Sequence, residues 1–258
     1  MIVDEVKKDY IKDLIKNGRR PDNRGLLEYR PISVQKGIIP NAEGSALAHI
    51  GETKVLAGVK LDLMTPFADR PGEGVVIFNS EFSPMAHPEF EAGPPNEKSI
   101  ELARVIDRGI RSAEVVDVKG LSQTGIEGKV LGVYIDLYVL DHNGDLTDAA
   151  GLAAMAALAN TRMPKMENNL LVRSESTGSL KLGRKAMPTT FTFVNGVPLI
   201  DATNEEEVAS EGMVTISTSS AGFICAGQKS GSLGLQRAKL VELADIALVK
   251  GKELLKYV

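Results

Sequence analysis

Residues 44–63, GSALAHIGETKVLAGVKLDL, decide the fold of this chain. They contain two β-prone segments, Gly44 to Ile50 and Thr53 to Leu63. A third such segment, Tyr29 to Gln35, precedes them at a short interval. Strand-forming segments that follow one another so closely predict an antiparallel meander.

Further helices and strands are predicted on both sides of the meander. Helical spacing of apolar residues predicts four helices, at about Val3 to Lys16, Glu97 to Val116, Ala149 to Asn160 and Leu233 to Lys256. β-Prone composition predicts strands at Val75 to Phe82, Lys129 to Asp141, Leu170 to Arg173, Pro188 to Val194, Pro198 to Asp201, Met213 to Ser219 and Gly222 to Gly227. Because strands precede helices in blocks, the expected class is α+β, with mixed sheets packed with helices.

The chain is predicted to consist of two similar halves. Each half has several strands followed by a long amphipathic helix, although no residue-level repeat accompanies this pattern. Pro164 and the polar segment Lys165 to Asn169 are the predicted linker. The first half, with the N-terminal helix, is then residues 1–165, and the second half is residues 170–258.

Composition excludes several classes of protein. With 43% hydrophobic residues among 258, the chain can build a sizeable core, and a net charge of −4 gives no global attraction for nucleic acid. One cysteine and three isolated histidines exclude a disulfide framework and the usual zinc sites. The start MIVDEVKKDY lacks the apolar stretch of a signal peptide, and no apolar run approaches about 20 residues. We expect a cytoplasmic protein with no membrane partner and no cofactor.

Three arginines lie on one face of the helix predicted over residues 97–116. At about 100° per residue, Arg104, Arg108 and Arg111 fall within a sector of about 60°, with the apolar residues opposite. A guanidinium group fits phosphate oxygens, so this basic stripe is predicted to bind a phosphate backbone without reading sequence. The alternative is an ordinary solvated helix face, partly neutralised by Glu101 and Asp107, which flank the stripe without interrupting it.

Three motifs, taken together and in order, resemble the RNase PH family. They are RPDNRG at residues 20–25, GSALAHIGETKVLAGV at 44–59 and ELARVIDRGIR at 101–111. The resemblance extends over nearly the whole chain and implies an RNase PH-like fold. Active members of that family degrade RNA from its 3′ end with inorganic phosphate and release nucleoside diphosphates.

The phosphate-binding motif of that family is altered here. Active relatives have a turn resembling Gly-Thr/Ser-Arg-Thr/Ser-Ala, which opens the helix that receives phosphate. The corresponding residues 144–149 read GDLTDA, with Thr147 at the position of the arginine and Asp148 at that of the second hydroxyl. A carboxylate that caps this helix would take the place of phosphate and repel it. Thr147 and Asp148 are therefore predicted to form a degenerate phosphate site.

The acidic motif of the family is altered as well. Active members resemble Asp-Leu-Asp-x-Glu-Glu-Asp, whereas residues 201–207 read DATNEEE. Asp201 persists, Thr203 replaces a carboxylate, and Glu207 is one methylene longer than the family's aspartate. A solvated acidic turn is favoured over a metal site for these residues, so Asp201 and Glu207 form a degenerate acidic site with no predicted metal and no predicted catalytic residue.

This combination resembles the non-catalytic ring subunit of the archaeal exosome. The resemblance implies three heterodimers in a hexameric ring with a catalytic RNase PH-like partner, RNA-binding cap subunits on one face, and single-stranded RNA in a central channel. The expected role is to guide RNA and to help shape the partner's active site. Two alternatives stay open: an active phosphorolytic exoribonuclease that uses Asp201 and Glu207, and a scaffold whose arginines pair with acids of a neighbouring subunit.

Two further segments are interpreted as structural. Arg20, Asp22 and Arg24 are expected to fix the geometry of a turn by internal ion pairs, in preference to binding RNA. The loop from His87 to Pro94, with Phe90, is interpreted as a mobile surface loop, in preference to a contact with a base or a neighbouring subunit.

Overall fold

The structure, a computed structural model, describes residues 2–167 and 169–258, with side chains from residue 5 onward. Its helices are α1 (Ile2–Lys16), α2 (Glu97–Ser112), α3 (Leu146–Ala159), α4 (Asn204–Val208) and α5 (Arg237–Leu254), with 3₁₀ turns at Gly120–Ser122 and Leu255–Tyr257. Its strands are β1 (Ile32–Lys36), β2 (Gly44–Ile50), β3 (Thr53–Met64), β4 (Val75–Phe82), β5 (Val130–Asp141), β6 (Arg162–Glu167), β7 (Leu170–Ser179), β8 (Ala186–Val194), β9 (Val197–Ile200), β10 (Gly212–Ser219) and β11 (Ile224–Gly231).

The predicted meander is confirmed as one side of a five-stranded sheet. The strand order is β1-β2-β3-β5-β4, and every pair is antiparallel except β4 with β5, which are parallel. Ala46 pairs with Ala57 across β2 and β3, and Gly58 pairs with Asp136 across β3 and β5. Residues of β3 alternate between buried and partly buried over most of its length, as expected for a strand with one face on a core.

A second sheet of four antiparallel strands, in the order β11-β10-β8-β9, lies across the core from the first. Helix α3 lies between the two sheets and contacts β2, β3 and β8, whereas α5 contacts β8 and β10. The small side chains of α3 allow this close approach. At Gly151 an added Cβ would lie 2.4 Å from Cγ of Pro188, so only glycine fits there.

The observed class is α+β, as predicted. The segment predicted as the linker, Pro164 and Lys165 to Asn169, lies within an antiparallel hairpin of β6 and β7. Proline cannot donate a hydrogen bond to a regular ladder, and Pro164 lies where the pairing register shifts on both of its sides. Asn168 lies outside the described residues. The division into residues 1–165 and 170–258 stays a prediction.

Helix α2 presents the basic stripe because its opposite face is buried. Asn96 caps the helix, with its Oδ1 accepting a hydrogen bond from the backbone N–H of Ser99 at 2.9 Å. Buried residues follow at helical spacing: Leu102, Ala103, Val105, Ile106, Gly109 and Ile110. The three arginines therefore lie on the exposed side, where Arg108 contacts β11 and Arg111 contacts β4.

Across residues 2–167 and 169–258, no helix has the length and apolar character needed to cross a membrane.

Candidate functional site

The three arginines of the basic stripe differ in how firmly they are held. Arg111 donates from Nε to Oδ1 of Asp107 at 2.7 Å and from Nη2 to the carbonyl of Val76. Arg108 donates from Nη2 to Oε1 of Gln228 at 2.7 Å. Arg104 is exposed and makes no hydrogen bond or ion pair with any described residue. Asp107 does not merely flank the stripe, as the sequence suggested, but pairs with Arg111.

Gln228 connects the stripe to the second sheet. Its Oε1 accepts from Arg108, and its Nε2 donates to Oε1 of Glu101 at 3.2 Å. A neutral amide leaves the charge of Arg108 uncompensated, so Arg104 and Arg108 carry the free positive charge of this face. Their exposed guanidinium groups have the chemistry to bind phosphate oxygens.

The expected cap of α3 is wrong. The helix begins at Leu146, and its N-cap is Asp145, so Thr147 and Asp148 both lie inside the first turn. Gly144 (φ 84°) and Asp145 (φ 49°) are both left-handed, and this turn starts the helix earlier than the sequence suggested.

Asp148 does not occupy an anion site. Its Oδ2 accepts hydrogen bonds from Oη of Tyr29 at 2.7 Å and from the backbone N–H of Thr190 at 3.0 Å. The side chain is fully buried, and it ties α3 to β8 and to the segment before β1. The acidic side chain at the start of α3 is therefore that of the N-cap residue, Asp145.

Asp145, Asp148 and Glu207 form a buried acid cluster. Burial raises the pKa of Asp145 well above its ordinary value, and the carboxylates of Asp148 and Asp201 raise it further, against the opposing charge of Arg30. Burial likewise raises the pKa of Asp148 to about 7, with hydrogen bonds from Tyr29 and Thr190 acting in the other direction. Burial raises the pKa of Glu207 to about 7, although Glu207 accepts the backbone N–H of Asp145 at 2.7 Å. As carboxylates these groups repel a phosphate, and as protonated acids they supply no positive charge to bind one.

Asp201 lies in neither a solvated turn nor a metal site, so the expectation of an exposed acidic turn is wrong. Its carboxylate is fully buried and accepts from Nη2 of Arg30 at 2.6 Å, from the backbone N–H of Arg30 at 2.6 Å and from Nη1 of Arg24 at 2.8 Å. In the described part of the chain, no group of three or more His, Cys, Asp or Glu side chains is arranged to hold a metal ion.

The RPDNRG turn does more than fix its own shape. Arg24 pairs with Asp22 at 2.5 Å, as expected, but Arg20 extends to the second half of the chain. Nε and Nη2 of Arg20 donate to the two carboxylate oxygens of Glu206 at 2.9 and 2.6 Å, and both side chains are fully buried. This joint connects the segment before β1 to α4.

Two features that connect this part of the chain were not predicted from the sequence: the pairing of Arg30 with Asp201, and helix α4. Arg30 gives no local signal, because its partner lies 171 residues away. Helix α4 has a signal that could have been recognised: Thr203 accepts from the N–H of Glu206, and Glu206 accepts from the N–H of Thr203. Thr-x-x-Glu is the pattern of a capping box.

A cleft of about 450 Å³ lies between α2, the start of α3, α4 and β11, and we call it the α2–α3 cleft. Thr147, Asp145 and Glu207 line it. Phe90 forms part of an aromatic wall, so the interpretation of its loop as a mobile surface segment does not hold for this side chain. Its ring lies 4.7 Å from that of Phe82 and stacks at 5.4 Å on His142 (centroid distances).

The α2–α3 cleft therefore lies next to the basic stripe, the degenerate phosphate site and the degenerate acidic site. The basic stripe borders it through Gln228, and the degenerate phosphate and acidic sites meet in it at Asp145 and Glu207. Asp148 and Asp201 are buried behind it and serve the packing of the chain.

Comparison with known proteins identifies both halves of the sequence. The model of the 3′ exoribonuclease family, domain 1, matches residues 28–164, and the model of domain 2 of that family matches residues 187–250. A Pyrococcus abyssi protein named exosome complex component Rrp42 is 40% identical over 262 residues, covering 100% of this chain and 95% of that protein. A protein of the same name from Methanosarcina acetivorans is 42% identical, covering 98% and 93%.

Solved structures show the same similarity in three dimensions. A chain of the Archaeoglobus fulgidus exosome with RNA bound to the active site superposes with a TM-score of 0.92 at 38% identity, covering 99% of each chain. A chain described as archaeal exosome core superposes with a TM-score of 0.86 at 37% identity, covering 98% of this chain and 96% of the other.

Proposed function

Because the chain belongs to the RNase PH family of 3′ exoribonucleases, we propose that it is the non-catalytic, RNA-guiding subunit of an archaeal exosome ring for 3′-to-5′ RNA degradation. The observation that carries the proposal is a free basic stripe next to a phosphate site occupied by acids. Full-length similarity to proteins named exosome complex component Rrp42, and to a chain of an exosome with bound RNA, supports it.

The partners follow from this role. A catalytic RNase PH-like subunit alternates with this chain as three heterodimers in a ring, RNA-binding cap subunits dock on one face, and single-stranded RNA passes through the centre, in the cytoplasm. This chain guides RNA to the partner's active site and helps to shape that site.

The mechanism of guidance is electrostatic. Arg104 extends freely into solvent, and Arg108 is held only by a neutral amide, so both are available to donate to phosphate oxygens. Arg111 is held by Asp107, and its contribution is smaller. Helix α2 contains no aromatic residue that could stack on a base. Binding of RNA by the stripe is therefore independent of the RNA sequence.

The lack of catalysis follows from the groups near α3. Phosphorolysis needs a cradle that binds inorganic phosphate and acidic groups free to act at the scissile bond. Here Thr147 replaces an arginine, and the adjacent Asp145 and Glu207 oppose an anion. Asp201, the remaining family acid, is committed to Arg24 and Arg30.

Changing Arg104, Arg108 and Arg111 together to Glu is expected to impair RNA degradation by the complex reconstituted with its catalytic partner, while the ring stays assembled. A plot of the logarithm of RNA affinity against the logarithm of salt concentration should have a slope steeper by about 2 for the wild-type complex than for the variant, because the variant lacks three phosphate contacts. RNA affinity by filter binding at several salt concentrations and native mass measurement of the ring check this.

The matched control changes Arg237, Lys252 and Lys256 to Glu, which alters net charge equally on an exposed part of the chain away from the stripe. It should leave RNA binding near normal. If the stripe variant also degrades and binds RNA normally, the arginines belong to a scaffold interface and the guiding role is wrong.

The purified chain alone, given RNA, phosphate and magnesium, is expected to release no nucleoside diphosphates, whereas the reconstituted complex releases them. Chromatography of the products measures both. Release by the lone chain that disappears in Asp201→Asn and Glu207→Gln variants would instead support an active exoribonuclease.

A further inference from the structure

A second cleft, of about 530 Å³, lies between helix α2 and the edge strand β4, and we call it the β4 cleft. Its lining includes Arg104 and Arg111 of the basic stripe, whereas Arg108 contacts β11 on the other side of the helix. A cleft of this volume is in the range of sites for small molecules, and a nucleotide is one such molecule. The part of the stripe that carries Arg104 and Arg111 therefore borders a concave surface.

The charges of the β4 cleft favour an anion. Among the described residues that line it, Asp107 is the only acid, and its carboxylate is largely buried and pairs with Arg111 at 2.7 Å. Arg104 is exposed and forms no ion pair with a described residue, so its charge is uncompensated. Arg111 donates from Nε and Nη2 to Asp107 and to the carbonyl of Val76, which leaves its Nη1 free to donate elsewhere. The cleft therefore offers a free charge and unused donors to the oxygens of a phosphate.

Phe67 supplies an open aromatic ring at the same cleft. The residue lies in the connection between β3 and β4, and it is 56% exposed. Its carbonyl accepts a hydrogen bond from the backbone N–H of Arg70 at 3.0 Å, so a tight turn fixes the backbone at this point. Among the described residues, no other aromatic ring stacks on it and no cation lies over its face. Open aromatic rings beside basic groups are the elements with which proteins bind single-stranded nucleic acid.

The ring of Phe67 is informative because of its surroundings, since single exposed apolar residues are ordinary on protein surfaces. Phe67 also lines a neighbouring cavity of about 760 Å³. The acids of that cavity outnumber its bases: Asp69, Glu73, Glu114 and Asp117, against Arg70, Arg111 and Lys119. A phosphate is therefore disfavoured there, whereas the β4 cleft combines the same ring with an excess of positive charge.

The aromatic rings on the other side of α2 suit a base less well. Phe82 and Phe90 are partly buried, and their ring centroids lie 4.7 Å apart, so each ring covers part of the other. Glu89 and Glu101 line the α2–α3 cleft beside them and outnumber the basic Lys98. An RNA strand whose phosphates contact the stripe therefore has its more suitable stacking surface on the side of β4.

We propose that the β4 cleft is a nucleotide subsite on the RNA path, in which one base stacks on Phe67 while Arg104 and Arg111 donate hydrogen bonds to the adjoining phosphates. The subsite rests on the RNA-guiding role proposed above and adds a base contact to it. Because every base has a face that can stack, the subsite agrees with binding that is independent of the RNA sequence.

Filter binding of a single-stranded RNA of about ten nucleotides to the complex reconstituted with its catalytic partner tests the proposal. Phe67→Ala is expected to weaken binding about tenfold at every salt concentration, because it removes a stacked base contact and no charge. Arg104→Ala is expected instead to reduce the slope of the logarithm of affinity against the logarithm of salt concentration by about 0.7, because one phosphate contact is lost. Phe67→Tyr keeps the ring and should bind RNA as the wild-type complex does.

Phe223→Ala is the matched control. It removes a phenylalanine that is 62% exposed in the turn between β10 and β11, outside the β4 cleft, and should leave RNA binding near normal.

RNAs that lack one base, at each position in turn, distinguish stacking from an indirect effect of Phe67 on the fold. In the wild-type complex one such position should weaken binding about tenfold, and the Phe67→Ala complex should show no further loss at that position. Losses that are the same in both complexes at every position would show that Phe67 contacts no base.

Normal RNA affinity of the Phe67→Ala complex would overturn the subsite. If the triple arginine variant loses RNA in that case, the guiding role stands and only the subsite is wrong, whereas normal binding by both variants would contradict both proposals. A ring that disperses in Phe67→Ala, seen by native mass measurement, would mean that the β4 cleft receives a side chain of a neighbouring subunit, and it would also overturn the subsite.

Discussion

Replacing Asp201 with asparagine is expected to lower the free energy of unfolding by about 3 kcal/mol. The fully buried carboxylate neutralises Arg30, which is largely buried, and also receives a hydrogen bond from Arg24. Removing its charge leaves the guanidinium group of Arg30 without a carboxylate partner in a largely buried site, whereas Arg24 keeps Asp22. Asparagine tolerates the left-handed conformation of this residue (φ 52°), so the change isolates the charge from backbone strain. Urea unfolding of the purified chain gives the value.

Asp22→Asn is the matched control for that experiment. Asp22 also pairs with Arg24, but its side chain is 36% exposed, so its loss should cost below about 1 kcal/mol. If both variants lost a similar free energy of unfolding, the buried contacts of Asp201 with Arg24 and Arg30 would not stabilise the chain as proposed. Stabilisation of the wild-type chain by magnesium that is absent in Asp201→Asn would point back to a metal site.

Local patterns in the sequence predict most elements because those elements depend on local periodicity. The strand at Val75 to Phe82 matches β4 at both ends, and the buried face of α2 follows from its apolar spacing. The sequence did not predict strand β6, because the irregular register that accommodates Pro164 depends on the partner strand β7. A single segment does not reveal its partner.

The candidate site shows the same limit. The exposed arginines of α2 were predictable from helix geometry alone, whereas the environments of Asp148 and Asp201 depend on distant partners. Tyr29 lies 119 residues from Asp148, and Arg30 lies 171 residues from Asp201. The departures at Thr147 and Asp148 predicted a degenerate phosphate site, but of the two aspartates it is Asp145, and not Asp148, that lines the cleft beside Thr147.

The buried acid cluster is expected to make the chain less stable as pH rises. Glu207 has a folded-state pKa of about 7 against an ordinary value of 4.5, so the folded protein holds its proton over a window in which the unfolded chain releases it. Stability from this group is therefore complete below about pH 4.5 and is lost as pH rises through 7. A shift of this size corresponds to about 3 kcal/mol, and partial exposure of the side chain reduces the expected effect to about 2 kcal/mol.

Glu207→Gln is expected to remove this dependence, because the amide oxygen can still accept the N–H of Asp145 while no charge develops. The variant and the wild-type chain should unfold at the same urea concentration near pH 4, and the variant should be more stable by about 2 kcal/mol at pH 8. Groups that do not interact with Glu207 cancel in the difference, whereas the raised pKa of Asp145, to which the Glu207 carboxylate contributes, falls in the variant and acts in the same direction. Glu205→Gln, on the exposed side of the same helix, should show a small difference that does not vary with pH. A difference for Glu207→Gln that stays constant from pH 4 to 8 would mean that Glu207 is ionised throughout in the folded protein.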